Sequence, residues 1–269
     1  NCVIAKPSEV TPVTAYLLSK ICNEAGLPPG VLNLVHGVGT HCGEAIVKHP
    51  EVKAISFTGS TRAGESIASI AAPMFKKLSL ELGGKNPNII FKDCDWRKMI
   101  PETIRSSFGN QGQICLCGSR ILIERSAYED FKTHFVAATK KLLVEDPLSE
   151  QAKQGAIVSK VHFDKIMNCI SRAKEEGGKI LCGGKAVKLK GRCAEGYFIE
   201  PTIIEGLDQQ CLTNQEEIFG PVVTIQPFDT EEEALQLANN NCYGLAAVIW
   251  TKNIDRALRL SSKIEAGIV

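Results

Sequence analysis

The sequence predicts an α/β fold in which parallel strands alternate with helices. Short apolar runs of strand-like composition are separated by longer segments with the periodicity of helices along the whole chain. Such alternation is typical of a parallel sheet covered by helices on both faces. The chain has 269 residues, of which 44% are hydrophobic, and this is enough apolar material for a large buried core.

The first part of the chain predicts four strands and three helices. Its first helix has Thr11 as a plausible N-cap, Pro12 at the first helical position and Gly26 just past the end. The strands are predicted at residues 3–5, 31–35, 52–57 and 77–82, and the helices at 11–25, 44–49 and 61–71.

The remainder repeats the alternation with longer elements. Strands are predicted at 88–91, 120–123, 222–227 and 246–250, and helices at 127–143, 160–176, 231–239 and 254–264, with a loop at 183–196. Gly83 and Gly84 follow a strand and permit a sharp change of direction. We therefore predict two domains, residues 1–83 and 84–269.

The composition excludes several classes of protein. The formal net charge of +1 offers no electrostatic basis for binding nucleic acid or an acidic membrane surface. No apolar run is long enough to span a bilayer. The 11 cysteines are odd in number and contain no Cys-x-x-Cys pair, and the five histidines lack metal-ligand spacing. We expect free thiols, a cytoplasmic location and no metal site.

Cys115 is the candidate nucleophile. It ends the polar, glycine-containing segment Asn110-Gln111-Gly112-Gln113-Ile114-Cys115, whose backbone N–H groups can stabilise an oxyanion. A single cysteine is more often a buried packing residue, so this role depends on a partner base. No histidine is an obvious partner for a cysteine, which leaves a carboxylate as the better candidate.

Glu81 is the candidate base, because it ends an otherwise apolar strand just before the flexible Gly83-Gly84 pair. A carboxylate there is costly unless it is paired or open to a cleft, so a buried structural ion pair is the alternative role. Glu217, in a turn-like segment closed by Gly220-Pro221, is ambiguous in the same way.

Three segments suit a ligand that contains phosphate and ribose. Thr58-Gly59-Ser60 joins a strand to a helix, whose N-terminus attracts phosphate, although an ordinary N-cap is the alternative. Gly37-Val38-Gly39 is only part of a G-x-G-x-x-G motif. Lys6-Pro7-Ser8-Glu9 follows the first strand, where ligands of open parallel sheets bind, although a solvated turn is the alternative.

Together these motifs resemble the aldehyde dehydrogenase superfamily, in order and over essentially the whole chain. The matching segments are Lys6-Pro7-Ser8-Glu9, Phe57-Thr58-Gly59-Ser60, Leu80-Glu81-Leu82-Gly83-Gly84-Lys85, Asn110-Gln111-Gly112-Gln113-Ile114-Cys115 and Glu216-Glu217-Ile218-Phe219-Gly220-Pro221. The resemblance implies the aldehyde dehydrogenase fold: an incomplete, Rossmann-like parallel sheet that binds NAD in residues 1–83, then an incomplete α/β catalytic domain in residues 84–269.

The resemblance also implies the roles of individual residues. Cys115 attacks the aldehyde, hydride leaves to the nicotinamide of NAD, and Glu81 activates the water that hydrolyses the thioester. Lys6 and Glu9 hold the adenosine ribose, and a carboxylate at that position disfavours the 2′-phosphate of NADP. The other implied cofactor-binding residues are Gly37, Gly39, Gly59, Ser60, Leu82, Glu217 and Phe219, of which Ser60 meets the pyrophosphate, Glu217 the nicotinamide ribose and Phe219 that end of the cofactor.

Four segments are similar to one animal subgroup of the superfamily, namely Lys76-Lys77-Leu78-Ser79-Leu80-Glu81, Asn86-Pro87, Arg105-Ser106-Ser107-Phe108 and Ile114-Cys115-Leu116-Cys117. This similarity implies 2-aminomuconic semialdehyde or retinal as the substrate. The resemblance further implies a homo-oligomer, either a dimer or a tetramer. It places the asparagine of a Pro-Trp-Asn segment, the oligomerisation hairpin and a closing strand outside this chain, so we expect the chain alone to be weakly active or inactive.

Two other functions are compatible with the same motifs. One is a catalytically impaired or structural, crystallin-like protein built on the same scaffold. The other is an enzyme that passes its thioester to coenzyme A. The presence of Glu81 as a water activator favours hydrolysis over that transfer.

Overall fold

The computed structural model describes residues 1–269, which form two units, Asn1–Leu82 and Gly83–Val269. We call them the N-terminal unit and the C-terminal unit. The division falls before Gly83, whereas the sequence analysis placed it after Gly83. None of the helices combines the length and the apolar composition needed to cross a membrane.

The N-terminal unit contains two separate pairs of parallel strands. The first strand pairs with the second and the third with the fourth, so the pairing is parallel as predicted but does not form one sheet. The second and third strands are not hydrogen-bonded to each other. The elements are β1 (Val3–Ala5), α1 (Val13–Glu24), β2 (Leu32–Leu34), α2 (Glu44–Lys48), β3 (Ala54–Thr58), α3 (Thr61–Ala71) and β4 (Lys77–Glu81).

Helix α1 begins two residues later than its predicted cap. Thr11 donates its backbone N–H to the Ser8 carbonyl in a turn, and Pro12 takes the N-cap position without a side-chain hydrogen bond. Since the turn holds Thr11 outside the helix, the predicted threonine cap is wrong. The predicted end is confirmed, because Gly26 adopts the left-handed φ of +79° that terminates a helix.

Helices were predicted to pack over both faces of the strands, but α1 does not pack in this way. No residue of this helix is buried within the chain. Its apolar residues Val13, Tyr16 and Ile21 are 65%, 51% and 59% exposed. Large apolar residues are normally packed against other parts of a protein. Because those of α1 are exposed, this helix contributes little buried surface to the N-terminal unit.

A six-stranded sheet forms the centre of the C-terminal unit, in the order β12-β5-β6-β11-β10-β7. All its pairings are parallel except that of β7 with β10, which is antiparallel. A separate antiparallel pair, β8 and β9, lies between β7 and β10 in the chain. The strands are β5 (Asn86–Ile90), β6 (Gly118–Glu124), β7 (Lys179–Cys182), β8 (Ala186–Val187), β9 (Phe198–Ile199), β10 (Thr202–Glu205), β11 (Val222–Phe228) and β12 (Val248–Trp250).

Four strands, β7 to β10, were not predicted, and β5 begins earlier than predicted. The four strands have only two to four residues each, so their pairing depends on distant partners rather than on a local pattern. Strand β5 includes Pro87, which lacks a donor and normally excludes a central strand. A register shift between Asn86 and Pro87 accommodates it.

Six helices complete the C-terminal unit, and two of them, α4 and the four-residue α7, were not predicted. They are α4 (Trp96–Phe108), α5 (Tyr128–Thr139), α6 (Lys160–Glu175), α7 (Leu212–Gln215), α8 (Glu231–Asn239) and α9 (Ile254–Ser261). Helix α4 carries Pro101 in its interior, a position that ordinarily breaks a helix. The buried side chains Met99 and Phe108 on either side of this proline anchor the helix to the core.

The sheet of the C-terminal unit is covered on both faces, as predicted. On one face, Phe131 and Phe135 of α5 pack in a cluster with Ile90 and Ile121. On the other face, α8 and α9 pack against Ile89 and other strand residues. The side chain of Ile89 points away from the face on which its neighbour Ile90 lies. Because adjacent residues of a strand alternate between faces, the apolar runs of β5 and β6 supply both clusters.

Candidate active site

Glu81 lies at the carboxyl end of β4, beside the start of helix α3. Strand register pairs Glu81 with Thr58, and the Gly59 N–H donates to the Glu81 carbonyl at 3.0 Å. The Glu81 side chain is exposed within this chain, which argues against the buried ion pair considered as its alternative role. The structure therefore presents a carboxylate next to a helix N-terminus.

Ser60 caps helix α3. Its hydroxyl oxygen accepts the Ala63 N–H at 3.3 Å, so the ordinary capping role is present. The cap uses one of the free N–H groups of the first turn and leaves others for an anion. A Cβ at Gly59 would lie 2.5 Å from the Phe57 ring, so a larger residue at this position would have to displace that ring.

Leu82 packs against α3. A Cβ added at Gly64 would lie 2.5 Å from the Leu82 side chain, so the helix and the end of β4 are in close contact. This contact holds α3 against the strand that carries Glu81. It gives Leu82 a packing role in this structure, while its contact with a cofactor stays a prediction.

The first cofactor motif forms a cluster at the ends of β1 and β2. The Lys6 ammonium donates to the carbonyls of Pro7 at 2.7 Å and Gly37 at 3.2 Å, and lies 3.6 Å from the Glu9 carboxylate. The Lys6 side chain is only 16% exposed and that of Glu9 is 49% exposed. Lys6 is thus ordered by three contacts, which a freely solvated turn would not provide.

The two glycines of the partial G-x-G motif differ. A Cβ at Gly37 would lie 2.6 Å from that of Cys42, and Gly37 has a φ of +158°. Gly39 begins a turn of π-helix, Gly39–Gly43, and open space surrounds the position of its missing Cβ. The structure therefore requires glycine at position 37 and does not require it at position 39.

The loop before Cys115 has an unusual backbone. Asn110, Gln111 and Gly112 adopt three consecutive positive φ angles of 48°, 56° and 67°. Non-glycine residues in this region are strained by about 1–3 kcal/mol each and persist only where the surroundings hold them. Such strain is concentrated at functional sites, so this loop is a strong candidate for one.

Asn86 holds the turn that carries Cys115. Its side-chain amide donates to the carbonyl of Cys115 at 2.7 Å and to that of Cys117 at 3.0 Å. The Asn86 side-chain oxygen in turn accepts the Ala246 N–H at 3.1 Å. Asn86 is 3% exposed, so these bonds are shielded from water. The sequence analysis assigned no role to this residue.

Cys115 itself is half-buried in a turn closed by the Cys117 N–H and the Ile114 carbonyl, which are 3.0 Å apart. Its own backbone N–H has no hydrogen-bond partner in the chain and is free to bind an oxyanion. Burial raises the pKa of the nearby Cys117 to about 11. Cys117 is therefore a neutral thiol at physiological pH, unlike a reactive cysteine.

Glu217 lies against the backbone of Gly83 and Gly84. Its carboxylate accepts the Gly84 N–H at 3.0 Å, and a Cβ at Gly83 would lie 2.6 Å from its other oxygen. The Tyr243 ring lies on the same side, 3.1 Å from that Cβ position. Glu217 makes a backbone hydrogen bond rather than the ion pair considered as its alternative role. Tyr243 was not singled out from the sequence.

The Cys115 loop and the Glu217 loop pack directly on each other. A Cβ at Gly112 would lie 2.1 Å from the Gly220 carbonyl oxygen, so the two backbones are in contact there. Both loops line one cleft together with Gly84 and Phe219. Glu217 lines this cleft, whereas from the other loop the cleft is lined by neighbours of Cys115 such as Cys117. Cys115 adjoins the cleft through Gly84, since a Cβ there would lie 2.7 Å from the Cys115 carbonyl oxygen.

The predicted site residues are divided between the units. Glu81, Leu82 and the predicted ligands of the adenosine and pyrophosphate lie in the N-terminal unit, and Cys115, Glu217 and Phe219 lie in the C-terminal unit. Each set is internally ordered as described. The boundary between the units follows Leu82, directly after the candidate base.

Lys85, at the end of the segment that contains Glu81, is a buried amine for which no role was predicted. The residue is 1% exposed. Burial, and to a smaller extent the neighbouring Arg120 guanidinium, lowers the pKa of Lys85 to about 7. Arg120 is itself buried and donates to the carbonyl of Lys85 at 2.9 Å.

The chain belongs to the aldehyde dehydrogenase family, whose model matches residues 1–269. At the level of individual proteins, it is 50% identical over 271 residues to human 2-aminomuconic semialdehyde dehydrogenase. It is 44% identical over 270 residues to 2-hydroxymuconic semialdehyde dehydrogenase of Pseudomonas sp. (strain CF600). Each match covers 100% of this chain and 56% of the relative, so the chain spans about half the length of these curated relatives.

Solved structures show the same relationship. Betaine aldehyde dehydrogenase from Staphylococcus aureus, in complex with NAD+, matches with a TM-score of 0.95 and 38% identity, covering 100% of this chain and 53% of that one. PnpE from Pseudomonas sp. WBC-3 matches with a TM-score of 0.96 and 38% identity, covering 100% and 55%. The predicted fold and the resemblance to the superfamily and its semialdehyde-oxidising subgroup are confirmed.

Proposed function

We propose that the protein oxidises an aldehyde to a carboxylic acid with NAD, through a thioester on Cys115 that Glu81 helps to hydrolyse. The observation that carries this proposal is the strained loop at residues 110–112. Together with the Asn86 amide, this loop presents a half-buried thiol beside an unpaired backbone N–H. A nucleophile beside an oxyanion donor is the arrangement that attack on a carbonyl requires.

The residues of this chain act in sequence. The Cys115 thiolate attacks the aldehyde carbon, and the oxyanion that forms accepts a hydrogen bond from the Cys115 N–H. Loss of hydride to bound NAD leaves the acyl group on the cysteine sulfur as a thioester. Glu81 takes a proton from a water molecule, which attacks the thioester and releases the acid and the free thiol.

The structure supports NAD as the cofactor. The cluster of Lys6, Glu9 and Gly37 offers an ammonium and a carboxylate, which lie beside a glycine whose missing Cβ leaves room for Cys42. Ser60 supplies a helix N-terminus for the pyrophosphate, and Glu217 supplies a carboxylate for the nicotinamide ribose. The carboxylate of Glu9 disfavours the additional phosphate of NADP. Bound NAD accepts the hydride.

The relatives support a semialdehyde as the substrate. Proteins at 49–50% identity are 2-aminomuconic semialdehyde dehydrogenases, and proteins at 43–44% act on 2-hydroxymuconic semialdehyde by name. We propose 2-aminomuconic semialdehyde as the first candidate and retinal as the second. A panel of these two aldehydes and betaine aldehyde tests this, and a preference for betaine aldehyde contradicts the proposal.

Replacing Cys115 by serine tests the chemistry. In the full-length natural protein we expect Cys115→Ser to reduce acid formation on the order of 10³-fold or more, because a hydroxyl is a far weaker nucleophile than a thiolate. Cys117→Ser is the matched control and retains activity within a few-fold, since Cys117 is a buried neutral thiol. Equal activity of Cys115→Ser and wild type excludes the covalent mechanism.

Replacing Glu81 by glutamine separates hydrolysis from hydride transfer. We expect Glu81→Gln to give a burst of about one NADH per active site followed by slow turnover, because the thioester forms but is not hydrolysed. Glu65→Gln, on the exposed face of α3, is the control. Turnover that requires added coenzyme A and yields an acyl-CoA in place of the acid supports the transfer alternative, and the absence of any NADH supports the structural, crystallin-like one.

We further propose that the protein acts in the cytoplasm as a homo-oligomer, a dimer or a tetramer. All 11 cysteines are free thiols, which suits a reducing compartment. Light scattering of the full-length natural protein tests the assembly, and a monomer at micromolar concentration contradicts it.

A further inference from the structure

One face of helix α6 contacts the segment that carries Glu217 along most of the helix length. The contacting side chains recur at helical spacing, so they lie on the same side of the helix. They are His162, Lys165, Ile166, Arg172 and Glu176, the last at the C-cap. The segment they contact is residues 212–220, which runs in the opposite direction.

The C-terminal end of this face fixes the beginning of the segment. The Glu176 carboxylate accepts the backbone N–H groups of Leu212 at 2.9 Å and Thr213 at 3.3 Å, and so satisfies free donors at the start of α7. One turn earlier, the Arg172 guanidinium donates to the Glu216 carboxylate at 2.8 Å.

The N-terminal end of the face fixes the backbone of the candidate ribose ligand and of the residues that follow it. The Lys165 ammonium donates to the backbone carbonyl of Glu217 at 3.0 Å. The His162 ring nitrogen Nε2 lies 2.6 Å from the backbone carbonyl of Phe219. A Cβ at Gly220 would lie 2.6 Å from the Ile166 side chain, so the helix presses directly on the backbone there.

Phe219 is the strained residue of this segment. Its φ is +60°, a left-handed conformation that phenylalanine rarely adopts. The His162 imidazole is partly buried, its pKa is lowered by that burial, and its ring meets the Phe219 ring edge-on at 5.8 Å. Because a carbonyl only accepts, the neutral imidazole carries its hydrogen on Nε2 and donates it to Phe219.

We propose that His162 is a positioning residue, which holds the left-handed backbone at Phe219 and thereby aims the Glu217 carboxylate at the nicotinamide ribose. Its donor group is a histidine N–H, and it acts through the Phe219 carbonyl. This inference rests on the proposed function, because it assigns Glu217 to the ribose. The inference adds helix α6, through His162, as the part of the fold that orients Glu217. The two loops that line the cleft do not include this helix.

Three variants of the full-length natural protein test this role. His162→Leu removes the N–H donor while keeping an apolar side chain, and His162→Gln retains an N–H within reach of the same carbonyl. His134→Leu is the matched control, because His134 is exposed on α5 and bonds only within its own helix.

Two measurements follow each variant: hydrogen exchange of a peptide covering residues 211–220, and KM for NAD beside kcat. We expect His162→Leu to speed exchange of the segment and to raise KM for NAD about 3- to 10-fold, the effect of one lost hydrogen bond, with kcat within about twofold. His162→Gln restores most of both values, and His134→Leu equals wild type.

Several results overturn the proposal. Unchanged exchange and KM in His162→Leu exclude the role of His162. Equal defects in His162→Gln and His162→Leu exclude a role for the N–H donor of His162. A drop in kcat with an unchanged KM for NAD excludes an effect through the binding of the nicotinamide ribose. If wild type itself binds no NAD, the proposed function fails as well, whereas normal NAD binding by wild type with an unaffected His162→Leu overturns only the inference on His162.

Discussion

Replacing Lys85 by methionine should remove a pH dependence of stability from the C-terminal unit. Lys85 is buried beside the Arg120 guanidinium, and Cys169, Cys211 and Glu217 also lie near its amine. Burial, the largest cause, lowers the pKa of Lys85 from 10.5 to about 7. Methionine has a similar length and no charge, so the change removes the titration with little change in volume.

The direction of the pH dependence follows from the number of protons that the folded and unfolded states bind. Between the folded pKa near 7 and the unfolded pKa of 10.5, the unfolded chain keeps the Lys85 proton and the folded protein has lost it. Stability therefore rises with pH in this window, and falls to a plateau as the pH drops below the folded pKa.

The magnitude follows from the size of the shift. A proton difference of one per molecule changes the free energy of unfolding by about 1.4 kcal/mol for each pH unit. Titration is incomplete near the folded pKa, so from about pH 6 to about pH 8.5 we expect Lys85 to contribute about 2 kcal/mol. This window ends below 9.0, the ordinary pKa of a thiol. Above that pH the thiols of Cys94 and Cys117, whose pKa is raised to about 11 in the folded protein, act in the opposite direction.

Urea unfolding at several pH values measures this effect. In the 269-residue chain both tryptophans, Trp96 and Trp250, belong to the C-terminal unit, so their fluorescence reports its unfolding. The free energy of unfolding of wild type should gain about 2 kcal/mol relative to Lys85→Met across the window. Lys98→Met, at an exposed position of α4, should follow wild type. Parallel curves for wild type and Lys85→Met would show that the Lys85 amine is not neutralised by burial, and would refute the reasoning.

Three further predictions concern the site and its support. Asn86→Ala removes two hydrogen bonds from the turn that carries Cys115, so kcat for aldehyde oxidation should fall about tenfold or more while KM for NAD stays near wild type; an unchanged kcat contradicts this. Gly112→Ala forces a Cβ into a facing carbonyl at a φ of +67° and should lower stability by about 2 kcal/mol or more in thermal unfolding, whereas Gly109→Ala has open space and a negative φ and should be tolerated. Ser60→Ala should cost about 1 kcal/mol of stability through the lost cap and should weaken NAD binding measured by calorimetry, and Ser60→Asp should restore the stability alone.

The positions of several site residues were predictable because the signals are local. A helix that starts after Thr58-Gly59-Ser60 follows from the capping preference of serine, and the structure begins α3 at Thr61 with Ser60 as its cap. The parallel strands of the C-terminal unit followed from apolar runs between helices. The segment that ends in Cys115 was notable for its glycine and amide content, and its backbone adopts three consecutive positive φ angles.

Other features depended on partners far away in the chain. Helix α4 was missed because Pro101 contradicts a helix locally, while packing by Met99 and Phe108 outweighs that cost. The single N-terminal sheet expected from the strand pattern is two pairs, because no local signal states which strands hydrogen-bond.

The sequence by itself determined the α/β class, the family and the identity of the candidate nucleophile and base, since each depends on residue types in short segments. The tertiary structure decided how the nucleophile and the ribose ligand are held. Asn86 bonds the Cys115 carbonyl 29 residues away, and His162 bonds the Phe219 carbonyl 57 residues away. Both residues bond a backbone carbonyl, which every residue carries, so no side-chain pattern marks the partner, and only the folded chain brings the two together.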